Sequence, residues 1–141
     1  MKKVFISYAH GINNVYIPFA QSIDTTLRNN GLDTWIDLRN RQRPSKKLFS
    51  DAISASDIVL ILLSQDYVNS YYCNFELLTA LKQNKTTLIV SFGQHDFKWN
   101  NSELKTIFSP KMISRKYKDF SPQAARAIVS HTLYQSQQVD S

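Results

Sequence analysis

The chain has 141 residues, the length of one domain, which is too short for a catalytic domain joined to a separate sensor. Hydrophobic residues make up 43% and charged residues 20%, as in globular proteins, and no apolar run approaches the roughly 18 residues of a membrane helix, so an integral membrane protein is excluded. The formal charge of +6 favours anionic partners such as nucleotides, nucleic acid or acidic proteins. Alternatively, the charge only increases solubility. The charge alone does not distinguish these possibilities.

The first strand and the first helix are predicted close to the amino terminus. Residues 4–6, Val-Phe-Ile, have the length and apolar character of a buried strand. An amphipathic helix follows, with Asn14 as its expected cap and Gly31 at its end. Its apolar stripe recurs at helical spacing and consists of Tyr16, Phe19, Ala20, Ile23 and Leu27.

A second strand and a basic loop come next. Residues 32–36 predict a short strand. The polar stretch from Asp37 to Lys47, which contains Pro44, predicts a loop that has no anchor in the core and is mobile in the monomer. Ser45 is expected to cap a short helix that continues through Ala55.

The second half of the chain continues the alternation of strands and helices. The unbroken apolar run 58–63 has no polar face, so it predicts a central strand covered on both sides. Further strands are expected at 88–90 and, more weakly, at 112–113 with Tyr117. The helix between the third and fourth strands has the predicted apolar stripe Tyr71, Phe75, Leu78 and Leu81.

The last helix is predicted to open at Ser121 as its cap, with Pro122 in its first turn. Its apolar face is expected to contain Ala125, Ile128, Val129 and Leu133. We therefore predict one domain over residues 1–135 and a flexible tail or linker stub over 136–141.

This order of elements predicts an α/β fold of the flavodoxin-like class: a five-stranded parallel sheet in the order 2-1-3-4-5 with helices on both faces. In that order the first and third strands are neighbours whose connections leave in opposite directions. The loops after Ser7 and Ser64 are therefore expected to meet in a crevice at the carboxyl edge of the sheet. A small-molecule site is expected there.

Several common uses of such a fold are excluded by the residues present. No acidic residue follows the first strand to hold the magnesium of a phosphate-receiver domain. The three glycines, Gly11, Gly31 and Gly93, are too far apart for a dinucleotide-binding or P-loop motif, so no bound cofactor is expected. The histidines are scattered without the spacing of metal ligands, and they are His10, His95 and His131.

The expected compartment is the cytoplasm. Lys2 and Lys3 precede only three apolar residues before Ser7, which is far short of a secretory signal, so no export is predicted. The single cysteine, Cys73, can form neither an internal disulfide nor a multi-cysteine zinc site, and we expect it to be a free thiol.

Three segments together resemble the TIR (Toll/interleukin receptor) domain family over roughly residues 1–135. Residues 64–77, a serine-led turn followed by aromatic-Cys-x-x-Glu-Leu, resemble the family's second signature box. Residues 4–8 resemble its first box, and residues 35–44 resemble its BB loop. Tyr72 stands where the family often has tryptophan, and Ser45 where glycine is common. The acidic residue usual after the first strand is missing.

The resemblance implies an NAD⁺ nucleosidase, a hydrolase or ADP-ribosyl cyclase acting on the nicotinamide-ribose bond, with Glu76 as the catalytic carboxylate. Many bacterial and plant members, and one animal axonal member, hydrolyse or cyclise NAD⁺, in defence or virulence. Most animal receptor and adaptor members only assemble, so a non-catalytic scaffold for TIR-TIR contacts is the alternative. Glu76 itself could instead be an exposed helix glutamate in an ion pair, although no basic residue lies one turn away.

Further substrate-binding residues are proposed around the crevice, with NAD⁺ as substrate and no cofactor or metal. They are Tyr8, Ala9, His10, Asp37, Arg39 and Tyr72. The segment 8–10 either binds the ligand or is a loop without a binding role. Tyr72 either stacks on a ring of the ligand or is an aromatic residue of the core. The basic residues of the BB loop either neutralise the pyrophosphate or are solvated, and they are Arg39, Arg41, Arg43, Lys46 and Lys47.

The expected partners are a second copy of the domain, through the basic BB loop, and a sensor or effector domain or protein. Nucleic acid is not expected, because the basic residues concentrate in one loop without interleaved exposed aromatics. A membrane partner is not expected either. Replacing Arg39, Arg41 and Arg43 together with alanine is expected to lower activity without lowering thermal stability.

Overall fold

Five parallel strands form the centre of the protein. The computed structural model describes residues 1–40, 43–93 and 96–139. The strands are β1 (Lys3–Tyr8), β2 (Asp33–Trp35), β3 (Ile58–Leu63), β4 (Thr86–Phe92) and β5 (Ile113–Tyr117). Their order in the sheet is β2-β1-β3-β4-β5, and every neighbouring pair is parallel. The predicted fold class is confirmed.

In the described part of the chain, six α-helices cover the two faces of this sheet. They are α1 (Ile17–Asn29), α2 (Lys46–Ser54), α3 (Gln65–Val68), α4 (Tyr71–Lys82), α5 (Ser102–Ile107) and α6 (Pro122–Gln138). Buried side chains of α2, α3, α4 and α5 form one core with the sheet, and those of α1 and α6 form a second core on the opposite face. Across residues 1–40, 43–93 and 96–139, no helix is both long and apolar enough to cross a membrane.

The central strand β3 is buried along its whole length, as its apolar run predicts. Alternate side chains enter the two cores, because successive residues of a strand point to opposite faces. Val59, Ile61 and Leu63 lie in the core with α4, while Leu60 lies in the core with α1 and α6. This burial on both faces fixes the register of β3 between β1 and β4.

Two of the predicted helix caps are confirmed and one is wrong. Ser45 accepts a hydrogen bond from the amide of Leu48, and Ser121 accepts one from Ala124. Asn14, in contrast, lies in a short 3₁₀ turn with a φ of 57°, and α1 begins after Tyr16 without a side-chain cap. The hydroxyl of Tyr16 instead donates to Asp66 of α3, at 2.8 Å.

Three further expectations need correction. The helix α5 was not predicted, because only Leu104 of its six residues is buried and no apolar stripe marks it. The buried face of α4 is rotated from the expected stripe: Tyr71 is 63% exposed, and the buried residues include Asn74 and Glu76. The tail expected to be flexible is helical through Gln138, since Ser136 is buried and donates a hydrogen bond to the carbonyl of Leu133.

Candidate active site

A buried carboxylate and two buried hydroxyls meet at the carboxyl end of β1. The Oγ atom of Ser7 lies 2.6 Å from Oε1 of Glu76 and 2.7 Å from the hydroxyl of Tyr67. The exposed fractions are 1% for Ser7, 0% for Tyr67 and 7% for Glu76. The cluster therefore joins the ends of β1 and β3 to α4, which is the crevice that the strand order predicts.

Local structure explains why these three side chains meet. Ser7 is two residues after Phe5 on β1, so both side chains point to the face covered by α4. The side-chain amide of Asn74 donates to the carbonyls of Tyr67, Val68 and Ser70. These bonds hold α3 against the first turn of α4 and thereby fix Glu76 relative to Tyr67.

The environment of Glu76 disfavours its charge. Burial, and to a smaller extent the nearby Asp37, raise the pKa of this carboxyl to about 8 against the opposing effect of the hydrogen bond from Ser7. No basic side chain in the described part of the chain forms an ion pair with Glu76. The alternative of an exposed helix glutamate in an ion pair is therefore wrong. A buried acid that titrates close to neutral pH is typical of catalytic sites.

A second group of side chains lies at the mouth of the same crevice. The hydroxyl of Tyr8 donates to Oδ1 of Asp37 at 3.0 Å, and Nε2 of His10 is 2.5 Å from Oδ2 of the same carboxylate. The hydrogen bond with Asp37 raises the pKa of His10 above its ordinary value. Asp37 thus links the end of β2 to the loop after β1, and three predicted site residues are together in one network.

Two more of the predicted residues of the crevice, Ala9 and Tyr72, have different surroundings. Ala9 is buried in the core beside α4. Tyr72 is 39% exposed, and its ring packs edge-on against Phe49 of α2 and against Tyr71. Tyr72 therefore forms part of the surface over α2 and α4, one helical turn before Glu76.

Both ends of residues 37–47, the segment predicted to be one loop, have helical structure. Residues 37–39 form a 3₁₀ turn, and Lys46 and Lys47 belong to α2. Lys46 lies over the ring of Tyr71, and Lys47 pairs with Asp51 on the same helix. Arg43 is exposed, and Arg41 lies outside the described residues.

Arg39 is the one basic residue of this stretch with a buried partner in the part of the chain that is described. Its guanidinium lies 2.5 Å from Oδ2 of Asp24 and also donates to the carbonyl oxygen of Thr34. The side chain of Asp24 is only 4% exposed. Contact of Arg39 with a substrate would therefore require this bond to break, and Arg39 should be left unchanged in any test of the loop.

Replacing Arg39 with alanine is expected to lower the free energy of unfolding by about 1–3 kcal/mol, because the buried Asp24 loses its main charge partner. Arg28 provides the matched control: it reaches the same carboxylate at 3.3 Å with a 44% exposed side chain. Arg28→Ala is expected to cost less than about 1 kcal/mol. Urea denaturation compares the two, and equal losses would contradict a structural role specific to Arg39.

Sequence reasoning missed Ser7 and Tyr67 as site residues. Ser7 lies within the apolar strand β1, and a polar residue on the core side of a strand requires a hydrogen-bond partner. That signal was present in the sequence. The identity of the partners was not, because Tyr67 and Glu76 are 60 and 69 residues away along the chain.

In the described part of the chain, Glu76 belongs to no cluster of metal ligands and borders neither of the two main cavities. Within residues 1–40, 43–93 and 96–139, no group of three or more histidine, cysteine or acidic side chains could hold a metal ion. His95 lies outside these residues. A cavity of about 250 Å³ borders Asn74 and another of about 490 Å³ borders Trp99, but Glu76 lines neither. Because Glu76 is only 7% exposed, a ligand as large as a nucleotide reaches its carboxyl group only if the surrounding side chains move.

One family model matches most of the chain. A family model described as TIR domain matches residues 4–129. Among curated proteins, the uncharacterized protein y4lF of Sinorhizobium fredii is 28% identical over 86 residues, which are 60% of this chain. The matched region is only 27% of that relative's length, so the chain matches about a quarter of that protein.

Solved structures show the same fold. The TIR domain of the Toll-related receptor TRR-2 from Hydra magnipapillata has a TM-score of 0.57 and 16% identity, with 98% of each chain covered. The TIR domains of the activated Roq1 resistosome, which recognises the pathogen effector XopQ, have a TM-score of 0.56 and 20% identity. That match covers 65% of this chain and 58% of the other.

Proposed function

Because the chain belongs to the TIR domain family, we propose that it cleaves NAD⁺ at the nicotinamide-ribose bond, with Glu76 as the catalytic carboxylate. The observation that carries this proposal is the buried Glu76, which is bonded to Ser7 and has no cationic partner among the described residues. A surface glutamate kept for solubility would not occupy such a position. A role in immune or virulence signalling is part of the proposal, supported by the receptor and resistosome neighbours.

The chemistry follows from the leaving group. When the bond between ribose C1′ and the nicotinamide nitrogen breaks, both electrons leave with nicotinamide, which departs as a neutral molecule. The ribose is left with positive charge shared between C1′ and the ring oxygen, and the carboxylate of Glu76 stabilises that charge. Water then adds to C1′ and loses a proton, which gives ADP-ribose. Attack by the adenine of the same molecule gives a cyclic isomer instead.

The other side chains have proposed roles in binding. Tyr8, Ala9 and His10 line the exit of β1, where they would hold nicotinamide and ribose. Asp37 orients Tyr8 and His10 through its two carboxylate oxygens. Tyr72 offers a partly exposed ring beside the crevice. Arg39 would bind the pyrophosphate only after it leaves Asp24, which makes it the weakest member of the set.

Assembly is part of the proposed mechanism. Glu76 is 7% exposed in the single chain, so NAD⁺ needs an opening that the isolated domain does not provide. Contact with a second copy through residues 37–47 would supply free energy for that opening, and the basic surface there would attract the anionic substrate. A domain that serves only as a scaffold would self-associate in the same way without consuming NAD⁺.

The rate of NAD⁺ consumption per molecule is therefore expected to fall by at least about tenfold when the protein is diluted a hundredfold, because dimers and higher assemblies dissociate. Chromatography of the nucleotides gives the rate, and light scattering of the same samples gives the state of assembly. Replacing the exposed Arg43 with alanine is expected to lower the rate while leaving thermal stability unchanged, with the exposed Arg126→Ala on α6 as an arginine control elsewhere. A constant rate per molecule from samples that are monomeric throughout would refute the assembly requirement.

A further inference from the structure

We propose that Ser7 and Tyr67 are positioning residues that form a relay of two hydroxyl groups, directed so that both protons point towards Glu76. The relay holds Oε1 of the carboxylate in place and favours its ionised form. This inference rests on the proposed function, because it assigns Ser7 and Tyr67 to the same reaction. It adds two residues to the site, on β1 and α3, that do not themselves need to touch the substrate.

The direction of the relay follows from counting protons. A serine hydroxyl has a single proton, and Ser7 donates it to Oε1 of Glu76 at 2.6 Å. Ser7 can then only accept from Tyr67, whose hydroxyl is 2.7 Å away. If both hydrogen bonds ran in the opposite direction, Glu76 would be the donor and the Tyr67 proton would have no acceptor among the described residues. A neutral Glu76 could also accept the Ser7 bond at Oε1, but the bond to an ionised carboxylate is stronger, so the relay favours the ionised form.

No other described group compensates the charge of Glu76. Asp37, Tyr8, Tyr67 and Cys73 are the titratable groups nearest to it, and none of them is a cation. On the packed helix α2, Lys47 pairs with Asp51 and Lys46 lies over the rings of Tyr71 and Phe75. On α5, Glu103 pairs with Lys82. The two hydroxyls are thus the main local support for the ionised form.

Simple mutual satisfaction of buried hydroxyls does not explain this geometry. One hydrogen bond between Tyr67 and Ser7 would leave one of the two hydroxyl protons without an acceptor. The additional bond from Ser7 connects them to Glu76 and restricts the rotation of its carboxyl group. The second oxygen, Oε2, lies outside the relay, and it is the oxygen that we assign to the ribose.

The sequence itself allows a direct test of ionisation. The chain has only two glutamates, Glu76 and Glu103. Selective ¹³C labelling of glutamate carboxyls therefore gives two signals in the intact chain, with the exposed Glu103 as an internal reference. A titration by NMR follows the Glu76 carboxyl in the wild type and in variants, and the pH profile of NAD⁺ cleavage is measured on the same proteins.

The informative variants are Ser7→Ala and Tyr67→Phe, and the matched control is Ser56→Ala. Ser56 is also buried, but its hydroxyl donates to the carbonyl oxygen of Ala52, away from Glu76. In Ser7→Ala, the Glu76 titration and the acidic limb of the activity profile are both expected to move up by at least about one pH unit. Tyr67→Phe, which removes only one oxygen, is expected to move both in the same direction by less, and the control is expected to move neither.

Three results would decide against the relay. Unchanged titration of Glu76 in both variants would overturn it, as would a shifted titration with an unshifted activity profile. Should Ser7→Ala fail to fold, Tyr67→Phe still carries the test, because an unmoved titration in that variant overturns the direction of the relay. Failure of the proposed function would look different: the wild type would consume no NAD⁺, while the Glu76 titration would still move between wild type and variants.

Discussion

Replacing Glu76 with glutamine is expected to lower the rate of NAD⁺ cleavage by on the order of a thousandfold while leaving the fold intact. Glutamine has nearly the same volume and can still accept the hydrogen bond from Ser7, but it has no negative charge to stabilise the positive ribose. The expected loss is therefore in kcat, with little change in the binding of NAD⁺. Product chromatography at a concentration where the protein is assembled measures the effect.

The chain provides a matched control for this variant. Glu103 is its other glutamate, and it forms an exposed ion pair with Lys82 on the surface of α5. Glu103→Gln is expected to keep the wild-type rate. Activity retained in Glu76→Gln would contradict the catalytic role, and unfolding of that variant would assign Glu76 to the structure instead.

The second large effect concerns stability. A carboxyl whose pKa rises from 4.5 to about 8 on folding keeps its proton in the folded state over a range where the unfolded chain releases it. The unfolded state then binds fewer protons, so the free energy of unfolding falls as the pH rises from about 4.5 to about 8. For Glu76 the expected loss across this range is on the order of 5 kcal/mol, at about 1.36 kcal/mol for each pKa unit.

Glu76→Gln has no such titration, so it is expected to be more stable than the wild type at pH 9 by a similar amount, on the order of 5 kcal/mol, and to differ from it by about 1 kcal/mol or less at pH 5. Urea denaturation at the two pH values measures the difference. For Glu103→Gln, the difference in the free energy of unfolding from the wild type is expected not to grow with pH. A Glu76→Gln variant that is less stable than the wild type at pH 9 would mean that the buried charge is well compensated.

Together these two expectations describe a site that lowers stability in favour of activity. A buried carboxylate without a cationic partner is unfavourable for folding at neutral pH, and natural proteins keep such groups mainly where function needs them. The same substitution should then remove activity and raise stability above pH 8. If Glu76 were purely structural, its substitution would lower activity and stability together.

The sheet was predictable because its signal is local. The run 58–63 has no polar face, and the strands on either side of it are separated by segments long enough for helices, which leaves few possible orders. Glu76 was predicted from its resemblance to a family motif, not from its surroundings. The spacing of apolar residues in α4 placed Tyr71 inside, whereas it is exposed and Glu76 is buried.

The rest could not be predicted because it depends on contacts between distant residues. Ser7, Tyr67 and Glu76 come from three separate elements, and only the folded chain shows that their polar atoms meet. The same holds for Asp24, which lies on the apolar face of α1 and is compensated by Arg39 from the turn after β2. Buried polar residues of this kind contradict the hydrophobic pattern until their partners are known.

The measurement that tests the central claim most directly is a mass balance of NAD⁺ cleavage by the purified wild-type chain. The protein is incubated with NAD⁺ at a concentration where light scattering detects assembly, and nicotinamide and the remaining nucleotides are quantified by chromatography. We expect one nicotinamide for each NAD⁺ consumed, together with an equal amount of ADP-ribose or a cyclic isomer. NAD⁺ that stays intact in the presence of assembled protein would contradict the account and would identify the domain as a scaffold.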